Sequence, residues 1–181
     1  MPESDTFAVE LVTPERVLVD GLATEVILRT GEGDVTFLAG HAPLVGSVEP
    51  GVLRVVRAEG DEVRVAVHGG FVQVGRDPTA EDRAGLSTNG TRVTLLIGVA
   101  ELAAEIDVDR ARTALAAADA RVVELAGSGG RAAPGSAPGE EEADPELAEA
   151  EAARRRAEVR LEVVEAGAPA GAASGPAAGP T

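Results

Sequence analysis

The sequence predicts an α+β protein: an antiparallel sandwich or barrel over the first hundred residues, then an antiparallel α-helical hairpin. Two observations indicate this. The first hundred residues carry short runs of Val, Leu and Ile, separated by Gly, Pro, Asp or Asn. From Asp107 onward the apolar positions recur every three or four residues instead, which is the period of a helix. The chain has 181 residues, enough for a small domain and an appendage.

The predicted strands are short and closely spaced. The first runs from Phe7 to Val12 and alternates, with Phe7, Val9 and Leu11 on one face. Turn residues such as Gly21 and Pro50 separate the later runs. Many short strands at this spacing are typical of a sandwich or a barrel. The other predicted strands cover residues 17–19, 24–28, 35–38, 52–56, 63–67, 71–74 and 93–97.

Two helices follow. Asp107 is the expected N-cap of the first and Gly127 its expected end. Asp144 and Pro145 give the second a strong start signal, and it runs to about residue 166. The predicted apolar stripe of the second helix is weaker and rich in Ala, so the hairpin gains little free energy from packing. That stripe consists of Leu147, Ala150, Ala157, Leu161 and Val164.

These patterns divide the chain into three parts. Residues 1–100 form the predicted β domain, and residues 101–166 form the helical hairpin. The Gly, Ser, Pro and Ala content of residues 127–143 predicts a flexible linker inside the hairpin. A long polar loop is expected over residues 75–90, and disorder over residues 167–181.

Composition excludes several classes of function. The formal net charge of −15 has the wrong sign for binding nucleic acid or anionic lipid. The chain has no Cys, so thiolate metal sites and cysteine nucleophiles are excluded. It has no apolar run long enough to span a membrane, and its N-terminus does not resemble a signal peptide. We therefore expect a cytoplasmic protein, or one held at a membrane through a protein partner.

No catalytic or metal site is predicted. The two histidines, His41 and His68, are too few for a zinc site, and no hydrolase or phosphate-loop motif is present. His68 is interpreted as a strand-end residue beside a Gly-Gly turn. His41 lies in a Gly-His-Ala-Pro-Leu segment, where a rigid turn whose histidine caps a neighbouring carbonyl is one interpretation.

A set of motifs gives His41 a second interpretation. Gly-Glu-Gly-Asp at 31–34 is followed by Gly-His-Ala-Pro-Leu at 40–44 and by Pro-Gly before an alternating strand at 50–56. Gly-Gly-Phe-Val-Gln-Val follows at 69–74. In order and spacing, these segments resemble the epsilon subunit of bacterial ATP synthases, over about residues 6–125.

The resemblance implies a β-sandwich of about ten antiparallel strands. It also implies a non-catalytic central-stalk subunit of a proton-translocating rotary ATP synthase, on the cytoplasmic face of the bacterial plasma membrane. The implied partners are the gamma subunit, the membrane c-ring and, through the hairpin, the catalytic alpha/beta hexamer. Asp34 and His41 fall where the family contacts the ring. An extended hairpin would inhibit ATP hydrolysis.

One further segment resembles the ATP-binding signature of some family members. It starts at Ile106 and includes Asp107, Arg110 and Ala111, with Glu101 six residues before Asp107. No cofactor is required, and ATP would be a regulatory ligand. The family's partner arginines fall on the second helix, at Arg156 and Arg160.

The residues themselves leave the ligand of these arginines open. Arg156 and Arg160 have no acidic residue at helical ion-pair spacing, so they predict a site for an anion. That anion is either a phosphate or a protein carboxylate, from the first helix or from another subunit. Capping and ordinary ion pairs also explain Asp107 and Arg110. The rival function is a stand-alone protein that senses ATP.

Overall fold

A computed structural model describes residues 5–76, 90–127 and 144–167. In this part of the chain, nine strands precede two helices, which confirms the predicted β-sandwich and helical hairpin. The segments predicted to be a flexible linker and a disordered tail lie outside the described residues, except for Gly127 and Gly167, which end the two helices. Most of the predicted 75–90 loop also lies outside them.

The elements are named in chain order. The strands are β1 (Phe7–Val12), β2 (Val17–Thr30), β3 (Gly33–Phe37), β4 (Leu44–Val48), β5 (Gly51–Arg57), β6 (Glu62–Val67), β7 (Gly70–Arg76), β8 (Thr91–Ile97) and β9 (Ala100–Leu102). A short 3-10 turn at Ala103–Glu105 leads to α1 (Val108–Gly127) and α2 (Pro145–Gly167).

The strands form one sheet that folds over its own core. They pair in the order β4-β7-β8-β1-β2-β5-β6-β9, with β3 added to β2. The first half of β2 pairs with β1, and its second half pairs with β3 and β5. The pairing of β1 with β8 is parallel, whereas the resemblance implied antiparallel strands.

The strand boundaries differ from the prediction at three places. The predicted strands 17–19 and 24–28 are parts of β2, because Gly21 lies within that strand and pairs with Val9 instead of making a turn. The prediction contained no strand at β4, where Gly46 and Ser47 interrupt the apolar pattern. It also missed β9, which has only three residues.

Alternation fills the interior of the sandwich. In β8, Val93, Leu95 and Ile97 are buried, whereas Leu96 between them is exposed. Phe7 and Phe37 are the largest of the fully buried side chains, and Val and Leu supply most of the others. Because this core draws only on residues up to 102, it is complete without the helices.

The two helices form an antiparallel hairpin with an Ala-rich seam. Each has the predicted aspartate cap: Asp107 Oδ1 accepts a hydrogen bond from the Arg110 N–H at 3.0 Å, and Asp144 Oδ1 accepts one from the Glu146 N–H at 2.9 Å. Ion pairs across the seam join Arg121 to Glu146 and Arg154 to Asp119, so the helices run in opposite directions. The buried alanines of the hairpin are Ala111, Ala118, Ala150 and Ala157.

The second helix also packs against the sandwich. Val159 and Val163 are buried beside Ala66 of β6, in a small cluster separate from the main core. Val52 of β5 and Ile106 pack at its margin. The stripe predicted for this helix contained neither Val159 nor Val163. With alanines packed in the hairpin seam and valines on the sandwich, the helix has two apolar sides.

Candidate functional site

Glu101, Arg160 and His68 meet where α2 crosses the edge of the sandwich. Glu101 lies in β9, and its Oε2 accepts a hydrogen bond of 2.6 Å from Arg160 Nε. The same oxygen lies 3.2 Å from His68 Nε2. We call these three residues the Glu101 cluster. It joins positions 59 residues apart in the chain, so it ties the helix to the sheet.

The histidine of this cluster is nearly sealed from solvent. The side chain of His68 is 4% exposed, and burial lowers its pKa below the ordinary value. The hydrogen bond with Glu101 opposes this shift, whereas the charges of Arg160 and Arg156 reinforce it. The imidazole is therefore neutral near pH 7. Because an ionised carboxylate only accepts hydrogen bonds, Nε2 carries the proton and Nδ1 presents a lone pair.

The remaining predicted ATP-site residues fall into a separate group. Asp107, Arg110 and Ala111 form the start of α1, where the backbone N–H of Ala111 donates to the Asp107 carbonyl oxygen at 2.9 Å. Ala111 is buried, and the side chain of Arg110 makes no ion pair within the described residues. The structure thus brings Glu101 to Arg160, and brings Asp107 to Arg110 and Ala111, without a side-chain hydrogen bond or ion pair between the two groups in the described part of the chain.

Arg156 and Arg160 have different surroundings although they are one turn apart. Arg160 pairs with Glu101 across the fold, whereas Arg156 pairs with Glu149 two turns earlier on its own helix, at 2.8 Å. Neither pair has the three- or four-residue spacing that the sequence analysis examined. A protein carboxylate is therefore present for each arginine, but it comes from α2 itself and from β9, and not from the first helix or another subunit.

Asp34 lies near the start of β3, and His41 lies four residues after its end. Asp34 is exposed and lies 3.6 Å from the guanidinium of Arg29. His41 is half-buried, with its ring packed edge-on against Phe37 at 4.9 Å between centroids. Its Nδ1 lies 2.8 Å from the carbonyl oxygen of Ala42, as the carbonyl-capping interpretation predicted.

An exposed apolar surface covers the outer face of β4, β7 and β8. Phe71 is 62% exposed and lies directly opposite Leu96, which is 52% exposed. Val45, 72% exposed, lies diagonally across the β4–β7 pair from Phe71. We call Val45, Phe71 and Leu96 the outer-face patch. The sequence analysis assigned it no role, although the alternation of β7 and β8 already placed Phe71 and Leu96 away from the core.

Sequence reasoning missed two further residues of interest. Arg29 lies near the end of β2, and with Arg155 it lines a groove beside His68. Arg155 makes no ion pair with any described residue, although Glu151 and Glu158 lie at helical ion-pair spacing from it. No signal in the sequence brings Arg29 to α2, because that proximity depends on how the helix docks.

None of the described helices is long and apolar enough to cross a membrane. The described His, Asp and Glu residues form no group of three that could hold a metal ion.

Comparison with known proteins identifies the family. Residues 6–79 match the family described as "ATP synthase, Delta/Epsilon chain, beta-sandwich domain". The ATP synthase epsilon chain of Thermobifida fusca is 46% identical over 121 residues, which cover 66% of this chain and 79% of that protein. The epsilon chain of Nocardia farcinica is 42% identical over 125 residues, which cover 68% of this chain and 85% of that protein.

A solved structure supports the fold. A chain in the cryo-EM structure of Euglena gracilis mitochondrial ATP synthase matches 91% of this chain and 81% of its own length, with a TM-score of 0.56 and 22% identity. The sandwich, the hairpin and the sequence relatives agree: this chain belongs to the family of ATP synthase epsilon chains.

Proposed function

We propose that this chain is a non-catalytic central-stalk subunit of a proton-translocating rotary ATP synthase, peripheral to the cytoplasmic face of the membrane. It couples proton flow through the c-ring to ATP synthesis, and its hairpin inhibits ATP hydrolysis when it extends toward the alpha/beta hexamer. The outer-face patch is the observation that carries this proposal. Three large apolar side chains side by side on an otherwise acidic protein mark a protein-binding surface.

The patch is well suited to the gamma subunit. It lies on the face of the sheet opposite the core, away from the face of β5 and β6 that α2 covers. A stalk subunit can therefore bind the patch while the hairpin remains docked. For the c-ring, we propose Asp34, near the start of β3, and His41, four residues after its end, so that the contact extends along that strand and past it.

The experiment that tests this proposal is co-purification with the gamma subunit. Phe71→Asp places a charge at the centre of the patch, so we expect loss of gamma binding, with a decrease of at least about a hundredfold in affinity. Val123→Asp is the matched control, because Val123 is 71% exposed on α1 and lies outside the patch. Retention of gamma by the Phe71 variant would contradict the assignment of the patch.

ATP as a regulatory ligand of the hairpin is a second proposal. The side chain of Arg110 has no ion pair among the described residues, and Arg160 already holds an anionic group, the Glu101 carboxylate. ATP would have to displace that carboxylate before its phosphates could reach Arg160. This competition predicts that Glu101→Gln strengthens ATP binding, because the amide no longer neutralises Arg160.

Calorimetry with ATP and Mg²⁺ checks this prediction. Binding should disappear in the Arg156→Ala/Arg160→Ala double variant and persist in Arg112→Ala, which removes an exposed arginine from the first helix. If the wild-type chain and Glu101→Gln both fail to bind ATP, the nucleotide proposal is wrong. A stand-alone ATP sensor would bind ATP yet leave the gamma subunit behind in the co-purification.

A further inference from the structure

A basic groove lies where the middle of α2 crosses two turns of the sandwich. Its volume is about 640 Å³. One wall carries Arg29, beside the β2–β3 turn, and Glu49, from the turn between β4 and β5. The opposite wall carries Arg155 and Arg156 of α2, and His68 also contributes to the lining. Three arginines against one glutamate give this groove a positive charge on a chain whose net charge is −15.

The three arginines of the groove have exposed ion-pair partners or none among the described residues. Arg29 lies 3.6 Å from Asp34, and both side chains are more than half exposed. Arg156 pairs with Glu149, whose side chain is 72% exposed, and Arg155 has no ion pair among the described residues. Exposed ion pairs contribute little free energy. A ligand that offers several anionic oxygens at once can therefore replace these carboxylates.

His68 provides an independent observation on the same groove. Its side chain is almost fully buried, and its Nδ1 has no hydrogen-bond partner in the described structure. Because Nε2 donates to Glu101, Nδ1 of the neutral ring can only accept a hydrogen bond. A buried polar atom without a partner costs free energy, so a ligand with a proton to donate would be favoured there.

We propose that this groove binds a phosphate oxyanion that retains a proton, held by Arg29, Arg155 and Arg156 with its P–OH group directed toward His68. Phosphate oxygens match the planar donor pattern of guanidinium groups. Inorganic phosphate near neutral pH carries both anionic oxygens and a P–OH donor, whereas sulfate carries no proton. Free phosphate supplies both groups, whereas the terminal phosphate of a nucleotide supplies the anionic oxygens but is mostly unprotonated near neutral pH.

Binding at this position has a structural consequence. Arg29 belongs to the sandwich, and Arg155 and Arg156 belong to the helix, so the oxyanion bridges the two. A ligand that binds only the docked arrangement stabilises it by mass action. Phosphate therefore fastens α2 to the sandwich. This site shares Arg156 with the candidate ATP residues of α2, but it contains none of those at the start of α1, and Arg29, Arg155 and His68 belong to it alone. It does not depend on the proposed stalk function.

The test is a calorimetric titration of the full chain with inorganic phosphate in a chloride buffer. We expect saturable binding that weakens about tenfold in Arg155→Ala. Arg154→Ala is the matched control, because Arg154 is the neighbour of Arg155 in the sequence but its guanidinium pairs with Glu158 and Asp119 outside the groove. Absence of saturable binding, or an equal loss in both variants, would overturn the proposal.

Three further measurements make the assignment specific. In the wild-type chain, sulfate should bind more weakly than phosphate, whereas His68→Phe should bind the two anions with equal affinity. Equal affinity for the two anions in the wild-type chain would overturn the role of the P–OH group. Hydrogen exchange of α2 should slow with phosphate, but not in Arg29→Ala, and an unchanged rate in the wild type would overturn the fastening. ATP that displaces phosphate and depends on Arg155 would identify a nucleotide as the source, whereas ATP that does not displace it would identify free phosphate.

Discussion

Gly70 occupies a position in the sandwich where no other residue fits. It begins β7 between β4 and β8, opposite Val48 on one side and Ile97 on the other. A Cβ built on it would overlap the carbonyl oxygen of Leu96, which is backbone and has little freedom to move. The Gly-Gly pair in the sequence is therefore a requirement of close strand packing at this point as well as a turn.

Gly70→Ala should lower the free energy of unfolding by about 1–3 kcal/mol, the usual cost of forcing an extra methyl group into a packed site. Urea denaturation followed by circular dichroism measures this. Gly75→Ala is the matched control on the same strand, since no atom lies within 4 Å of its Cβ position, and its change should stay within about 0.5 kcal/mol. Equal midpoints for the two variants would contradict the steric argument.

Single residues also mark the limit of sequence-based reasoning here. The caps Asp107 and Asp144 were predictable because an N-cap depends on residues only a few positions away. The contact of Arg160 with Glu101 was predictable only as an unspecified anion, because its partner lies 59 residues earlier. His68 was interpreted only as a strand-end residue, because its burial depends on the docking of a helix that is distant in the sequence.

The second helix illustrates the same limit at the level of an element. Its extent was predictable from Asp144 and Pro145, and it ends close to the expected residue. Its orientation was not, because a helix that packs on two partners has no single apolar face and its periodic signal is weak. Val159 and Val163 therefore escaped the predicted stripe. The continuity of strand β2 was not predicted for a related reason, because Gly21 resembles a turn signal yet pairs within the sheet.

Docking of this helix should depend on pH. Burial holds the pKa of His68 below its ordinary value of 6.5, and an undocked helix would expose the ring and restore that value. Below pH 6.5 the undocked state therefore binds more protons, so docking is strongest above this pH and weakens as the pH falls toward the lowered pKa. The charges of Arg160 and Arg156 also disfavour protonation of the ring, whereas Glu101 favours it. The other charged groups that line the adjoining groove are Arg29, Arg155 and Glu49.

Hydrogen exchange of α2, corrected for the intrinsic pH dependence of exchange, measures this effect. Protection should decrease between about pH 7 and pH 5.5 in the wild-type chain. His68→Gln retains a donor for Glu101 but does not titrate, so its protection should change less over the same interval. An identical pH dependence in the two proteins would assign the effect to other groups.

In the whole molecule, the hairpin is held to the sandwich by a small contact. Val159 and Val163 supply the buried apolar side chains that α2 presents to β6, and their burial contributes on the order of 3 kcal/mol. The Glu101 cluster adds a charge-assisted hydrogen bond. A partner that prefers the extended hairpin by about 5.5 kcal/mol would reverse a 99:1 preference for the docked form. The interface is therefore weak enough to serve as a switch, and the sandwich core remains complete when it opens.

If the extended hairpin is the inhibitor, two changes at this interface should act in opposite directions on ATP hydrolysis by the assembled enzyme. Deletion of residues 105–181 removes the hairpin but leaves the sandwich core and the outer-face patch, so the subunit should still assemble and hydrolysis should rise. Glu101→Ala keeps the hairpin but leaves Arg160 without its carboxylate, which should shift the docked-to-extended ratio about tenfold toward the extended form and lower hydrolysis. Arg112→Ala, on the exposed surface of the first helix, should change neither the docked-to-extended ratio nor the rate of hydrolysis. General damage to the subunit would change the rate of hydrolysis in the same direction in both variants. Faster hydrolysis in the deletion variant together with slower hydrolysis in Glu101→Ala would therefore identify a docked hairpin that restrains its own inhibitory action. Faster hydrolysis in both variants would contradict it.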